Sequence, residues 1–163
     1  MKSVILALVL MALSAFGVSR VGGGKVNSYA SGFELEVPQE FLNMEQYPDV
    51  IVANGPMLIS NSTPMLQFIQ IREFKNYYAA QATLSRAEME TYFTSRRLVK
   101  LTGVPDPCMD AYAFDNRGTT GLVVTWGDGK GVTLTGPSSP LVKSAVESIL
   151  QSMTLVPGAC AWN

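Results

Sequence analysis

The last third of the chain contains three β-rich segments separated by two glycine-containing turns, and this pattern constrains the fold most. The segments are Cys108–Phe114, Thr119–Trp126 and Val132–Thr135. The turns between them, Asp115–Gly118 and Gly127–Gly131, are rich in the residues that join antiparallel strands. We therefore predict a three-stranded antiparallel meander, which must bury one of its faces against other parts of the chain.

Strand patterns also precede the meander. Gly32–Val37 alternates apolar side chains with glutamates, which predicts a half-buried strand. Asn54-Gly55 lies between the apolar segments Val50–Ala53 and Met57–Ser60, and this dipeptide is typical of tight turns, so we predict a hairpin there. Met65–Phe74 is rich in β-forming, mostly apolar residues, which predicts a central strand.

Two segments carry helix signals. Leu84–Leu98 begins with Ser85 and Glu88 in the spacing of a capping box. A second helix is predicted to begin with Ser139 as N-cap and Pro140 at the first helical position, and apolar residues then recur at helical spacing. Both segments therefore predict amphipathic helices that cover apolar surface.

The order of these segments predicts an α+β fold. Residues 39–46 complete the pattern as a helical turn or a loop. Runs of strands interrupted by two helices, rather than alternating βα units, indicate an antiparallel sheet with two main helices packed on it.

The N-terminus has the pattern of a signal peptide. Val4–Leu13 is an unbroken apolar run that follows a short, positively charged start. Ala15 and Gly17 are small residues at the spacing that favours cleavage after Gly17, and cleavage after Ala15 or Ser19 remains an alternative. Arg20 interrupts the run before the roughly 20 apolar residues that a membrane span needs. We therefore predict an exported protein of the periplasm or extracellular space, with no membrane span after cleavage.

The chain then divides into three parts. We predict a signal peptide over residues 1–17, a flexible N-terminal segment over 18–27 and a single α+β domain over 28–163. Cys108 and Cys160 are the only cysteines, and an oxidising compartment favours a disulfide between them. Such a bond would hold Trp162 near the start of the meander. The alternative, a zinc site, is disfavoured because the chain has no histidine to complete it.

Composition excludes several classes of function. Twelve Lys and Arg against thirteen Asp and Glu give a net charge of -1, without the basic footprint of a nucleic-acid binder. The absence of histidine removes Ser-His and Cys-His nucleophile activation, and the commonest general base near neutral pH. We predict no catalytic residues, no metal and no cofactor.

The layout resembles the PsbP/Mog1-like fold family of small exported bacterial proteins. The resemblance rests on the opening strand Gly32–Pro38, on the closing segment Val142–Leu155 and on the matching order of hairpin, helix and meander. It implies a protein-binding or assembly-assisting role. Members share no catalytic motif, so the resemblance carries over no functional residues.

Two groups of residues are candidates for an interface. Tyr77 and Tyr78 follow the central strand, where loop tyrosines bury much area at low entropic cost, although they fit the edge of the core equally well. Arg96, Arg97 and Lys100 lie near the end of the first helix and are suited to an acidic partner. A solvated helix end is the simpler reading of these three cations.

The acidic residues offer little chemistry. Glu34 and Glu36 share one face of a strand and are expected on its solvated side. Asp106, Asp110 and Asp115 match no calcium-binding loop and are better explained by turn chemistry.

These observations favour an exported, non-enzymatic protein-binding or assembly-assisting domain of the periplasm or cell envelope. Its partner is then another protein, which the sequence does not identify, and the oligomeric state is open. One alternative is a secreted inhibitor or immunity-type protein that neutralises a toxin or hydrolase. A second alternative is a carboxylate-based hydrolase or small-ligand carrier with a pocket between helix and sheet.

Overall fold

A computed structural model describes residues 17–73, 84–127 and 130–162 of the chain. The predicted signal peptide lies almost entirely outside these residues, and so do Tyr77 and Tyr78. The fold is dominated by sheet, with 50% of the described residues in strands and 19% in helices. The prediction of an α+β fold with two helices packed on one antiparallel sheet is therefore wrong.

The described residues form two antiparallel sheets. The larger sheet has seven strands in the order β4-β5-β6-β10-β9-β8-β7. Its strands are β4 (Asn43–Gln46), β5 (Val50–Ser60), β6 (Thr63–Glu73), β7 (Val99–Lys100), β8 (Asp110–Asn116), β9 (Thr119–Gly127) and β10 (Lys130–Pro137). The predicted meander is confirmed as β8, β9 and β10, and the predicted central strand as β6, which lies between β5 and β10.

The smaller sheet has four strands in the order β1-β2-β3-β11. They are β1 (Ser19–Gly22), β2 (Lys25–Ser28), β3 (Phe33–Glu36) and β11 (Thr154–Leu155). Residues 18–27, where we predict a flexible segment, contain β1 and most of β2, and Val18 and Val26 are buried in the core. The strand predicted at residues 32–37 is confirmed as β3.

Two α-helices, α1 (Arg86–Ser95) and α2 (Pro140–Ser152), are confirmed in the described residues. Ser85 accepts a hydrogen bond from the amide of Glu88 while the Glu88 side chain accepts one from the amide of Ser85, so the predicted capping box forms. Ser139 caps α2 as predicted, by accepting a hydrogen bond from the amide of Val142.

The two helices cover opposite faces of the larger sheet. On one face, α2 and β3 pack over Leu122, Val124 and Trp126 in the main core. On the other face, α1 packs over Tyr112 and Val123 in a second, smaller core. Since adjacent residues of a strand point to opposite faces, Leu122 and Val123 belong to different cores. The smaller sheet thus shares the main core with α2, an arrangement that the sequence patterns did not predict.

The hairpin predicted at Asn54-Gly55 is also displaced. β5 runs through this dipeptide with a bulge between Asn54 and Met57, and the turn to β6 lies at Asn61-Ser62. Gly55 is needed for close packing instead, because a Cβ there would lie 2.5 Å from the ring of Phe41. Residues 39–46 form a short 3-10 helix (Gln39–Phe41) and then β4, a strand that we did not predict.

Candidate functional site

The distal part of the β5–β6 hairpin extends beyond the rest of the larger sheet. β4 pairs with β5 only between Ile51 and Asn54, and β10 pairs with β6 only between Gln70 and Glu73. Within the described residues, 57–66 therefore pair only with one another, and we call them the distal hairpin. A two-stranded ribbon is marginally stable in water unless another surface covers it.

The distal hairpin is apolar and exposed on both faces. Five of its large apolar side chains are between 38% and 78% exposed: Met57, Leu58, Ile59, Met65 and Leu66. The cross-strand pair Met57–Leu66 lies on one face and the pair Leu58–Met65 on the other. Exposed apolar side chains gathered on one ribbon make the distal hairpin a candidate interaction surface.

The hairpin also lies within a long uncharged stretch. Residues 50–71 contain no Asp, Glu, Lys or Arg over 22 positions. Ser60 to Thr63 make the tip itself polar. The distal hairpin therefore offers apolar surface and backbone hydrogen-bonding groups, and no side chain that could form an ion pair.

The sequence patterns did not identify the distal hairpin as a site. The available signal was the uncharged run, which combines apolar strand residues with prolines at positions 56 and 64. An apolar run is equally typical of a buried strand, and β6 does continue into the core at Ile69 and Ile71. Only the sheet topology shows that its first half has no neighbour besides β5 among the described strands.

Lys100, a candidate interface residue, belongs to an ion-pair cluster beside α1. Its Nζ atom lies 2.5 Å from Oε2 of Glu90 and 3.5 Å from Oδ1 of Asp110. Arg86 donates two hydrogen bonds to the same Asp110 carboxylate. Burial raises the pKa of Asp110, but the hydrogen bond and charge of Arg86, together with Lys100, leave that pKa below its ordinary value. The cluster is internally neutralised, which suits a structural role.

Tyr112, which neighbours this cluster, is unsuited to acid–base chemistry. Its hydroxyl is buried and has no hydrogen-bond partner in the described part of the chain. Burial, followed by the charges of Asp110 and Glu90, raises the pKa of Tyr112 far above its ordinary value. The phenol therefore stays protonated, and its ring packs 4.7 Å from that of Phe93 in the smaller core.

Arg96 and Arg97 make different contacts from those of Lys100. The Arg96 guanidinium lies 3.5 Å from the centroid of the Tyr92 ring and donates a hydrogen bond to the Tyr92 carbonyl. Arg97 has a left-handed backbone (φ 67°) at the end of α1 and faces a groove on the other side of β7. The prediction that these three cations form an interface stays untested, as does the one for Tyr77 and Tyr78.

The groove beside Arg97 has a volume of about 360 Å³ and runs between α2 and the strands β8 and β9. Val99, Leu122 and Val146 contribute apolar surface to it. Asp115, one of the two acids that line the groove, pairs with Lys143 at 2.5 Å, and that hydrogen bond, with a second from Ser138, lowers the pKa of Asp115. This carboxylate is therefore ionised and already satisfied, which disfavours a general-acid role.

The predicted disulfide between Cys108 and Cys160 is present, and their Cα atoms lie 5.9 Å apart. It fixes the C-terminal tail beside the meander, as expected for Trp162. The indole Nε1 of Trp162 donates to the Cys108 carbonyl at 2.7 Å, and the Ala161 amide donates to the Trp126 carbonyl at 2.8 Å.

The other acidic residues have local structural contacts. Glu34 lies 3.4 Å from Lys25 of the neighbouring strand, on the outward side of β3 as predicted. Asp106 accepts a hydrogen bond from the Cys108 amide within a turn. Over residues 17–73, 84–127 and 130–162, no three or more Asp, Glu or Cys side chains gather as potential metal ligands.

Among the helices in the described ranges, none is long and apolar enough to cross a membrane. The disulfide fits an exported protein, since such bonds persist in oxidising compartments.

Comparison with known proteins found no protein-family model, no curated protein and no solved structure that matches the chain. The resemblance to the PsbP/Mog1-like family stays a hypothesis, and function must be argued from the residues themselves.

Proposed function

We propose that the protein is an exported, non-enzymatic protein-binding domain whose binding element is the distal hairpin. The observation that carries the proposal is the projection of an uncharged ribbon with exposed apolar side chains on both faces. Apolar burial is the main favourable term in protein association, and leaving these side chains in water is unfavourable.

The chemistry of the hairpin favours a protein partner over other macromolecules. Binding to nucleic acid or to an anionic lipid surface depends on Lys and Arg, and residues 50–71 contain neither. The polar tip, Ser60 to Thr63, also opposes insertion of the hairpin end into hydrocarbon. Apolar side chains of a protein partner match the ribbon without an unpaired charge on either side.

A secreted inhibitor or immunity-type role is a second candidate. A two-stranded ribbon without flanking strands is narrow, so it can enter the cleft of a toxin or hydrolase. The hydrolase and ligand-carrier alternative has less support, because the one carboxylate of the groove with a resolved shift, Asp115, has a lowered pKa. A general acid at neutral pH needs a raised one.

Site-specific crosslinking tests the proposal. A benzophenone amino acid replaces Ile59 in one variant and Val156, an exposed apolar residue outside the hairpin, in the matched control. We expect crosslinked protein from position 59 and at least tenfold less from position 156 in an envelope extract. Adding Leu58→Asp to the Ile59 variant should abolish the product.

The fold must be intact for this comparison to be valid. Leu58 and Ile59 lie outside both cores, so Leu58→Asp should leave the melting temperature within about 2 °C of wild type. Equal crosslinking from positions 59 and 156, or a product that survives Leu58→Asp, would exclude the distal hairpin as the binding element.

A further inference from the structure

The two edges of the distal hairpin are not equivalent. Asn61 (φ 49°) and Ser62 (φ 65°) form a two-residue turn with left-handed backbone at both positions, so Ser60 and Thr63 are the hydrogen-bonded pair that closes it. Hydrogen-bonded and non-hydrogen-bonded pairs alternate along an antiparallel ribbon. Met57 and Ile59 therefore belong to non-bonded pairs, and their backbone N–H and C=O groups point away from β6.

These groups lie on an edge that no other described strand covers. β4 covers the same edge of β5 as far as Asn54, and the chain enters β4 from the 3-10 helix at Leu42. Beyond that point, Met57 and Ile59 each present one donor and one acceptor. The opposite edge, on β6, offers fewer hydrogen-bond donors, because Pro64, the cross-strand partner of Ile59, has no N–H.

We propose that a second copy of the chain pairs with this edge, antiparallel and around a two-fold axis at Leu58. The inference rests on the proposed function of the hairpin and names its partner. With Leu58 opposite Leu58 of the second copy, Met57 faces Ile59 and Ile59 faces Met57. Both are then hydrogen-bonded pairs, so four N–H and four C=O groups combine into four intermolecular hydrogen bonds.

The edge is self-complementary, as a two-fold interface requires. Met57 and Ile59 lie on either side of Leu58, and their backbone groups point the same way. A two-fold rotation about Leu58 therefore places Met57 of each copy opposite Ile59 of the other. The absence of charge from residues 50–71 means that two copies approach without like-charge repulsion. Pairing also turns two marginal two-stranded ribbons into one four-stranded ribbon, which is the size that gives a sheet independent stability.

The same arrangement also brings exposed apolar side chains of the two copies into contact. On one face, Met57 and Ile59 of each copy meet as cross-strand pairs, where Ile59 is the most exposed large side chain of the hairpin. On the other face, Leu58 lies against its symmetry mate next to Met65. Cross-strand apolar pairs of this kind stabilise antiparallel sheets.

Cysteine crosslinking tests the register. The two native cysteines are joined to each other, so Leu58→Cys introduces a single free thiol. Residues facing each other in a non-hydrogen-bonded pair have Cα atoms about 4.5 Å apart, within the range for a disulfide. We expect Leu58→Cys to form a covalent dimer at least tenfold faster than Arg117→Cys, a matched thiol at the exposed β8–β9 turn. Equal rates would overturn the proposed axis.

Proline substitution tests the backbone pairing. Ile59→Pro removes an N–H that the ribbon itself does not use, as Pro64 already does across the ribbon. We expect sedimentation velocity to show a dimer for wild type and Ile59→Val, and at least tenfold weaker association for Ile59→Pro. Leu66→Pro, which removes the corresponding N–H on the β6 edge, should associate like wild type. A monomeric wild type, or an Ile59→Pro variant that dimerises fully, would contradict the proposal.

The outcomes separate the two proposals. If wild type is monomeric while position 59 crosslinks to a different protein, the second-copy partner is wrong and the binding role of the hairpin stands. If the crosslinked product has twice the mass of the purified chain, both are supported. If neither association nor crosslinking occurs, both fail.

Discussion

Asp110 and Arg86 form a two-point ion pair, with Nε 2.8 Å from Oδ2 and Nη2 2.9 Å from Oδ1. The Asp110 side chain is only 5% exposed, whereas that of Arg86 is 42% exposed. The same guanidinium lies 5.7 Å from the centroid of the Trp162 ring. Arg86 thus connects the first turn of α1 with β8 and with the disulfide-bonded tail.

The ion pair predicts an acid-sensitive component of stability. The pKa of Asp110 is lowered in the folded state, so its contribution is present above the unfolded-state pKa of about 3.9 and is lost as pH falls through the folded-state pKa. We expect Asp110→Asn to reduce the free energy of unfolding at pH 7 by about 2 kcal/mol in urea titrations. The difference from wild type should shrink as pH falls below about 4. A difference that is constant down to pH 2 would show that ionisation of Asp110 does not stabilise the fold.

The disulfide predicts a large effect on stability and on the tail. Cys108 and Cys160 are separated by 52 positions, for which the chain-entropy model gives about 4 kcal/mol. We expect Cys108→Ser/Cys160→Ser to lose roughly that free energy of unfolding and to shift Trp162 fluorescence towards that of solvated indole. Thiol labelling of the unreduced, denatured wild type should modify neither cysteine. Labelling of both would mean that the bond is absent in the isolated protein.

Removal of the two helix caps is expected to reduce the free energy of unfolding by unequal amounts. Among the described residues, the Ser85 side chain bonds only within its capping box, so Ser85→Ala should reduce the free energy of unfolding by about 1 kcal/mol. Ser139 caps α2 and also donates to Oε1 of Gln67, a buried side chain, at 2.5 Å. Ser139→Ala should therefore cost about 2 kcal/mol, because it also removes a partner from a buried polar group. Thermal denaturation of both variants shows which one loses more stability. A larger loss of stability for Ser85→Ala than for Ser139→Ala would contradict the prediction.

Gly127 predicts a test of how the tail docks. A Cβ added there would lie 2.5 Å from the Cβ of Ala161, so the tail must move. We expect Gly127→Ala to reduce the free energy of unfolding, measured by chemical denaturation, by about 2 kcal/mol. Ala161→Gly removes the atom that Gly127→Ala would meet, so the double variant should recover part of the loss. Additive losses in the double variant would show that this contact is not what excludes a side chain at position 127.

Local patterns predicted the local elements well. The capping box of Ser85 and Glu88, the Ser139-Pro140 helix start and the turn at Asp115–Gly118 each depend on residues within a few positions, and all three are present. The turn at Asn54-Gly55 failed because the packing of Gly55 against Phe41 involves residues 14 positions apart. Periodicity alone carries no information about such a neighbour.

The candidate site, too, could be predicted only in part from the sequence. The sequence states that residues 50–71 are apolar and uncharged, but this composition is shared by buried and exposed strands. Ile69 is buried because β5, β10 and α2 surround it, whereas Ile59 is exposed because β4 and β10 end before reaching it. No local rule distinguishes the two isoleucines.

The sequence by itself determined the strands of the meander, the helix caps and the pairing of the only two cysteines, since each follows from short-range chemistry or from counting. Tertiary structure alone decided that a second sheet shares the main core, that the helices lie on opposite faces and that residues 57–66 pair with no other described strand. The physical reason is that burial depends on which distant strands lie alongside, and strand order in a sheet is set by long-range packing.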